Sequence, residues 1–268
     1  FRGIEEILQT IQEALSYGYE TFHICFDPSP QNPDYFLRLF SRIREQGIKM
    51  ECFFESFGLP TLDFIKSFKE TFPGPKSLIA LSPDVGSDRL RKIHKGHAYT
   101  NQALMDCLGQ LERQGVFCDV FFTVGVAFEK AEDVRQTLEL QKKIRERYSN
   151  VKGIRTFTIE MEPGSPWHLD PKAFGVETHL KNFVDYYRYH SGKESAFSSL
   201  GYWLPNYFPE AKNEMDFETR LQRIKCRHFC FIHPNARRSS TPFWGRRLCD
   251  LSSLLWNMKV LMGKKVMG

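Results

Sequence analysis

The chain has no run of roughly 18 uncharged apolar residues, the length a helix needs to cross a bilayer, so a membrane span is not expected. Its first residues, FRGIEEILQ, lack a positive segment followed by an apolar one, which excludes a secretory signal peptide there. They also lack an initiator Met, the pattern of a piece of a longer protein. The seven cysteines are scattered and do not form a disulfide framework. Cys25, Cys52, Cys107 and Cys118 fall in apolar periodic segments, which predicts buried, reduced thiols and a reducing, cytoplasmic setting. The net charge of +5 is mild and selects no class of partner, because a basic balance can come from one local patch. What is present is length and aromatic bulk. The 268 residues, 24 of them Phe, suffice for one large α/β domain with a sizeable core.

Five βα-like units follow one another over residues 1–165. Ile4, Ile7, Leu8, Ile11 and Leu15 share a helical face that Gly18 terminates. Thr21 to Phe26 reads as a buried strand ending at Asp27-Pro28. Asn32 and Pro33 then cap and open a helix with Phe36, Leu39, Phe40 and Ile43 inward, closed by Gly47. Lys49 to Phe57 is the next strand. After it, Thr61 caps a helix carrying Leu62, Ile65 and Phe68. Ser77 to Leu81 and Phe117 to Val124 are strands separated by a helix from Asn101 to Gln114. A helix from Glu132 to Tyr148, with Val134, Leu138 and Ile144 inward, precedes a fifth strand from Gly153 to Ile159. Strands alternating with helices at about 30 residues per unit imply right-handed crossovers and a parallel sheet. Periodicity leaves open whether that sheet is flat or part of a barrel. Phe53, Phe54, Phe121 and Phe122 are expected in the core or lining a cavity. Beyond Pro166 the pattern breaks. Residues 166–268 read as an irregular and helical appendage on the α/β core, with one helix from Thr178 to Tyr189 and another from Leu251 to Leu261.

Two strand ends carry the most information. Ser77 to Gly96 reads SLIALSPDVGSDRLRKIHKG, and Phe121 to Glu129 reads FFTVGVAFE. Each is an apolar run that stops at a small, polar or Gly-containing turn before a helix. In parallel α/β proteins that is where sites are built. The tail holds two further signals. Cys226, Cys230 and His233 have a spacing that a metal could use, against the alternative of a folded basic tail with reduced thiols. Arg220, Arg223, Lys225, Arg227, Arg237, Arg238, Arg246 and Arg247 could meet RNA or another anionic partner, against the alternative of a solvated face.

The turn Gly125-Val126-Ala127-Phe128-Glu129 resembles the Gly-Leu-Pro-Gly-Glu turn of radical S-adenosylmethionine (SAM) enzymes. Ser82-Pro83-Asp84-Val85-Gly86-Ser87-Asp88, with Arg91 and Lys95-Gly96 downstream, resembles the Glu-Ser-Gly-Ser-Asp turn on an earlier strand of that family. Tyr99-Thr100, a Leu-rich helix and Gly115 follow in the family's order. The likeness covers residues 1–165 and is nearest to the branch with an N-terminal cobalamin-binding domain. It implies a partial (β/α)6 barrel of the TIM type, a [4Fe-4S] cluster on a CxxxCxxC loop, and SAM cleaved to a 5′-deoxyadenosyl radical. It further implies SAM contacts at Asp27, Ser82, Asp84, Arg91 and Gly125, and a substrate cavity lined by Glu55, Ser56, Glu160 and Glu162. Asp27 before Pro28 also has a simple reading as a turn former, and Glu129 as a cap of the next helix.

No CxxxCxxC precedes the first helix, so the first strand and the cluster loop are expected upstream of Phe1, and this piece alone is expected to be inactive. Ala127 and Phe128 stand where the family turn has Pro and Gly, and Val85 where it has Ser. The function expected is therefore the barrel of a radical SAM enzyme with a cobalamin-linked methyl transfer or radical rearrangement. Its substrate would be a small molecule or a macromolecule to be modified, and its electron donor a flavodoxin or ferredoxin. The alternatives are a tRNA-modifying enzyme of the same family, suggested by the basic tail, and a barrel that has lost catalysis and serves as a binding scaffold.

Overall fold

The computed structural model describes residues 2–25, 32, 34–96, 98–190 and 201–232. The chain groups into two compact units, the first formed by residues 1–122 with 136–155, the second by 123–135 with 156–268. Five strands, β1 (Thr21–Ile24), β2 (Glu51–Ser56), β3 (Leu78–Asp84), β4 (Phe117–Val124) and β5 (Val151–Thr158), form one sheet in sequence order. The β1–β2, β2–β3 and β3–β4 pairs are parallel. Helices α1 (Ile4–Ser16), α2 (Tyr35–Glu45), α3 (Leu62–Thr71), α4 (Asp88–His94), α5 (Asn101–Arg113) and α6 (Ala131–Arg147) precede and connect the strands. Right-handed crossovers between strands laid down in sequence order put every connecting helix on the same face. This is the winding of a (β/α) barrel, as expected, and unlike that of a doubly wound sheet.

The two faces of the sheet differ accordingly. On the helix side, Cys52, Phe54, Ile79, Leu81, Cys118, Val120 and Phe122 are all fully buried. Phe54 anchors an aromatic cluster. Its ring centroid lies 4.8 Å from that of Phe36 and 4.9 Å from that of Phe64, and Phe40 packs against Phe72 at 5.1 Å. Edge-to-face rings at these distances add to the burial energy of the side chains themselves. Thr61 caps α3 by accepting the Phe64 N–H (3.3 Å), and Thr100 caps α5 by accepting that of Ala103 (3.1 Å).

Several local expectations change. The strand at Thr21 stops at Ile24, with Phe26 outside the described residues. It alternates exposed and half-exposed residues, because it is the edge strand with a single neighbour. The cap position of α2 is Asp34, not Asn32. Leu62 is 39% exposed; Phe64, one face over, takes the core position. The third strand continues through Ser82-Pro83-Asp84, with a register shift between Leu81 and Asp84. The buried stripe of α6 runs through Thr137, Leu140, Gln141 and Ile144, while Val134 and Leu138 are only half-buried. Among its polar members, Thr137 Oγ1 accepts the Gly86 N–H at 2.8 Å.

In the second unit, α7 (Pro166–Leu169) and a 3-10 turn (Pro171–Phe174) lead into an antiparallel pair, β6 (Glu177–Thr178) with β7 (Tyr202–Trp203). The helix expected from Thr178 is α8, Phe183–His190, because β6 occupies the start of that span. The Tyr202 ring lies 5.4 Å from Trp167 and 6.2 Å from the fully buried Phe217. Phe217 belongs to α9 (Glu214–Ile232), which carries the start of the basic run. Leu251 to Leu261 lies outside the described residues. Among the described residues no helix is long and apolar enough to cross a membrane.

Candidate functional site at the strand ends

The end of β3 is a rigid turn. Asp84 has φ +63°, a left-handed conformation that Asp tolerates better than most residues. The Val85 N–H closes back on the Pro83 carbonyl at 2.7 Å, and Val85 itself is buried in the core. Ser87 caps α4. Gly86 sits where a side chain has no room: a Cβ there would stand 2.6 Å from the Thr137 backbone N and 2.7 Å from the Gln136 carbonyl oxygen. Backbone cannot yield as a flexible side chain can. Gly86→Ala is therefore expected to destabilise the protein by about 2–3 kcal/mol, from overpacking and strain on the Thr137 hydrogen bond. Thermal melting checks this. An unchanged Tm would show that α6 can retreat.

Arg91 is fully buried beneath this turn and spends all five N–H groups on it. Its Nε donates to the Pro83 carbonyl (3.0 Å). One terminal nitrogen donates to Asp88 Oδ1 (2.7 Å) and the Tyr99 carbonyl (2.8 Å), the other to the Val85 carbonyl (2.5 Å) and Asn101 Oδ1 (2.8 Å). No donor is left for a ligand carboxylate, so the expectation for Arg91 is corrected: it positions the turn. Lys95 performs a related task at the surface, donating to the Ser82 carbonyl (2.8 Å) and Asp84 Oδ2 (3.1 Å). Ser82 and Asp84 stay half-exposed at the rim.

The turn after β4 belongs to the second unit. Gly125 has φ +82°, and Phe128, where the SAM-family turn has Gly, takes φ +63°. The Gly125 N–H donates to Glu129 Oε2 (2.8 Å), and its carbonyl accepts from the Tyr202 hydroxyl (3.1 Å). The side that a Cβ would occupy is filled by the Leu221 side chain of α9, 2.6 Å from that position. Gly125 is thus approached by protein. Glu129 does not cap α6; Asp133 does, accepting the Lys130 N–H at 2.9 Å. Glu129 is buried, accepts a second bond from the Tyr207 hydroxyl (2.6 Å), and leaves Oε1 buried without a hydrogen-bond partner among the described residues. Burial pushes its carboxyl up to about 7, against the opposing pull of Tyr207 and the Gly125 and Val126 N–H groups.

The face of the sheet opposite the helices carries charged side chains among apolar ones. Parallel pairing aligns residues across neighbouring strands, so His23, Phe53 and Leu78 fall on one side, as do Glu55, Ala80 and Asp119. Glu51 is held by Ser77 Oγ (2.6 Å), Asp119 lies 3.5 Å from Arg155, and His23 Nε2 lies 3.3 Å from Glu55 Oε1. His23, Asp119 and Arg155 escaped the sequence reading because their shared side follows from strand register. Only the alternation of Glu51, Phe53 and Glu55 could have signalled it. Ser56 points the other way: it is buried on the helix side and donates to the Gly58 carbonyl at 2.9 Å, so it is not on the cavity side. Glu160 and Glu162 are exposed beyond the end of β5.

Asp27, His233 and the side chains of Cys226 and Cys230 lie outside the described residues. Among the described residues no cluster of His, Cys, Asp or Glu could hold a metal. Cys25, expected buried, is exposed at the end of the edge strand, whereas Cys52, Cys107 and Cys118 are buried thiols whose ionisation burial opposes, Cys107 being pushed up to about 12. Such thiols do not fit a [4Fe-4S] cluster, which is held by thiolates.

No protein-family model matches the chain, and no curated protein does. Among solved structures it is similar to the radical S-adenosylmethionine methyltransferase TsrM from Kitasatospora setae, determined with cobalamin and a [4Fe-4S] cluster bound. The TM-score is 0.63 at 13% identity, covering 88% of this chain and 47% of that one. The chain thus spans about half the length of that protein, and the likeness is one of fold. A type I 3-dehydroquinate dehydratase from Clostridium difficile overlaps at a TM-score of 0.38 and 15% identity, over 59% of this chain and 60% of that one.

Proposed function

We propose that this chain is the barrel portion of a radical SAM enzyme, of the kind that couples SAM to cobalamin-linked methyl transfer, acting on a small polar molecule or a modified macromolecule. The observation that carries the reading is the fold shared with TsrM over 88% of the chain. Two features add support: strand-end turns ordered as in that family, and charged side chains in mid-strand on the open face of the parallel sheet. Parallel sheets are normally covered by apolar contacts on both sides, so charged mid-strand residues fit a face turned to water or to a polar ligand. The rim of β3 suits a SAM nucleoside or amino-acid group, with the Ser82 hydroxyl and the Asp84 carboxylate half-exposed on a turn that Arg91 and Lys95 hold fixed. Asp27, from outside the described residues, would join them. The described cysteines do not suit the cluster, and the electron donor would be a flavodoxin or ferredoxin. The cytoplasm is the compartment that reduced thiols fit.

A second reading, a barrel that binds ligand without radical chemistry, is favoured by Leu221 over Gly125 and by the saturation of Arg91. Titration calorimetry of SAM into the chain separates the two. Binding is expected, weakened about tenfold by Asp84→Asn, since a hydrogen bond to a charged group contributes about 1.5–3 kcal/mol. Absence of binding by folded protein supports the scaffold. Anaerobic reconstitution of the full-length protein, assayed for 5′-deoxyadenosine and S-adenosylhomocysteine, then tests the catalytic reading. RNA binding with steep salt dependence would instead point to a tRNA substrate.

A further inference from the structure

Among the described residues, the open face of the sheet carries the carboxylates of Glu51, Glu55 and Asp119 and the basic groups of His23 and Arg155, and Glu51 and Asp119 are committed. Glu51 accepts from Ser77 Oγ at 2.6 Å, and Asp119, buried in mid-strand, has Arg155 at 3.5 Å. His23 and Glu55 are different. They lie at the C-terminal ends of neighbouring strands, where parallel α/β proteins place their chemistry, and both are accessible, with side chains 54% and 35% exposed. The imidazole is fixed by two contacts. Glu55 Oε1 lies 3.3 Å from Nε2, and the Phe53 ring stands edge-on to it at 4.9 Å and 90°. A carboxylate this near Nε2 electrostatically favours a proton on that nitrogen, with Nδ1 left as a lone pair, although the two groups are in ion-pair range and not hydrogen-bonded. Nδ1 has no partner among the described residues.

We propose that His23 and Glu55 form a proton-accepting pair for a polar ligand bearing an O–H or N–H group, bound on the open face beside Phe53. In the step, the ligand's O–H or N–H bond breaks, its proton moves to His23 Nδ1 and the electron pair stays on the ligand heteroatom. Glu55 keeps its negative charge beside the imidazolium so formed. No oxidant or reductant is required. His23 is the group that touches the ligand, while Glu55 is a positioning residue that sets the tautomer and stabilises the cation, the division of labour of carboxylate–imidazole pairs in hydrolases. The role rests on the reading above only in taking the open face as the ligand side. It does not depend on SAM being the cofactor.

The test uses the whole chain and two readouts that a packing role would not move. Long-range proton–nitrogen spectra of nitrogen-15-labelled protein should show neutral His23 protonated at Nε2, with Nδ1 bare. Diethyl pyrocarbonate, mapped by peptide mass spectrometry, should modify His23 about tenfold faster in the wild type than in Glu55→Ala, with Glu55→Gln between them because its amide oxygen can still accept from Nε2–H. Both positions are accessible, so both variants are expected to fold. A proton on Nδ1, or equal rates in wild type and Glu55→Ala, overturns the proposal. The same variants titrated with SAM keep the two readings apart: unchanged SAM affinity beside a lost tautomer preference supports the pair, and failure of SAM to bind wild type leaves both readouts on His23 standing.

Discussion

Replacing Arg91 with Met should destabilise the first unit by about 3–5 kcal/mol, the range for removing one partner of a buried charged network. Met fills much of the space of the Arg stem, so the loss reports the polar head. The buried carbonyls of Pro83 and Val85 and the part-buried Tyr99 carbonyl and Asn101 side chain would lose donors, and each buried acceptor left unsatisfied costs about 1–3 kcal/mol. Asp88 suffers least, since its side chain is half-exposed and water can replace the guanidinium. Arg91→Lys should recover little. A single ammonium reaches one cluster of acceptors, whereas the planar fork spans five directions at once. Urea denaturation of the three proteins measures the differences, and a loss below about 1 kcal/mol would mean that the turn rearranges to satisfy itself. If Ser82 and Asp84 bind SAM as proposed, its affinity should also fall in both variants, because the turn that presents them relaxes.

The second large effect is a pH dependence. A carboxyl raised in the folded state from its ordinary 4.5 to about 7 favours the protonated form of the fold. Its stabilising contribution is complete below about 4.5 and is lost as the pH rises through about 7. The shift corresponds to roughly 3 kcal/mol over that window. Glu129 is buried, with the Tyr207 hydroxyl donating to it and Asp133 near enough to raise its carboxyl further. Wild type should therefore be more stable at pH 5 than at pH 8 by most of that amount, about 2.5 kcal/mol, beyond the slope contributed by other groups. Glu129→Gln, neutral at every pH, should lack this part of the slope while keeping an oxygen for the Gly125 N–H and the Tyr207 hydroxyl. Matched urea melts of both proteins at several pH values give the difference, and parallel slopes would refute the assignment.

The alternation of strands and helices was legible because local signals agree with one another. Thr61 and Thr100 cap helices as their positions suggest, Gly18, Gly47 and Gly115 close them with positive φ, and the inward stripe of α2 is the one its spacing predicts. The site was less legible, since its chemistry depends on who pairs with whom. Arg91 looked like a ligand group because it follows a turn that resembles the family's, and a guanidinium grips a carboxylate well. Only the folded turn reveals that its acceptors are the carbonyls of Pro83, Val85 and Tyr99. Ser56 and Glu55 adjoin in sequence but point to opposite sides, and which side faces solvent is set by the crossovers. The buried face of α6 was misread at Val134 and Leu138 because Thr137 and Gln141 count as surface residues in any periodicity, although the space beside Gly86 admits only a small hydroxyl-bearing side chain.

The strand order also bears on how the chain reaches this state. Each strand's neighbour is the strand next in sequence, beginning in turn at Thr21, Glu51, Leu78, Phe117 and Val151. No strand has to wait for a partner made much later, so the loop closed at each pairing is a single crossover, and the entropy of closing it grows only slowly with length. Such a sheet can be laid down one unit at a time as the polypeptide leaves the ribosome. The phenylalanine cluster under β2 draws on α2, β2 and α3 alone and is complete once residue 72 has emerged. A nascent chain stalled after that residue has cleared the exit tunnel should already resist proteolysis over its first two units.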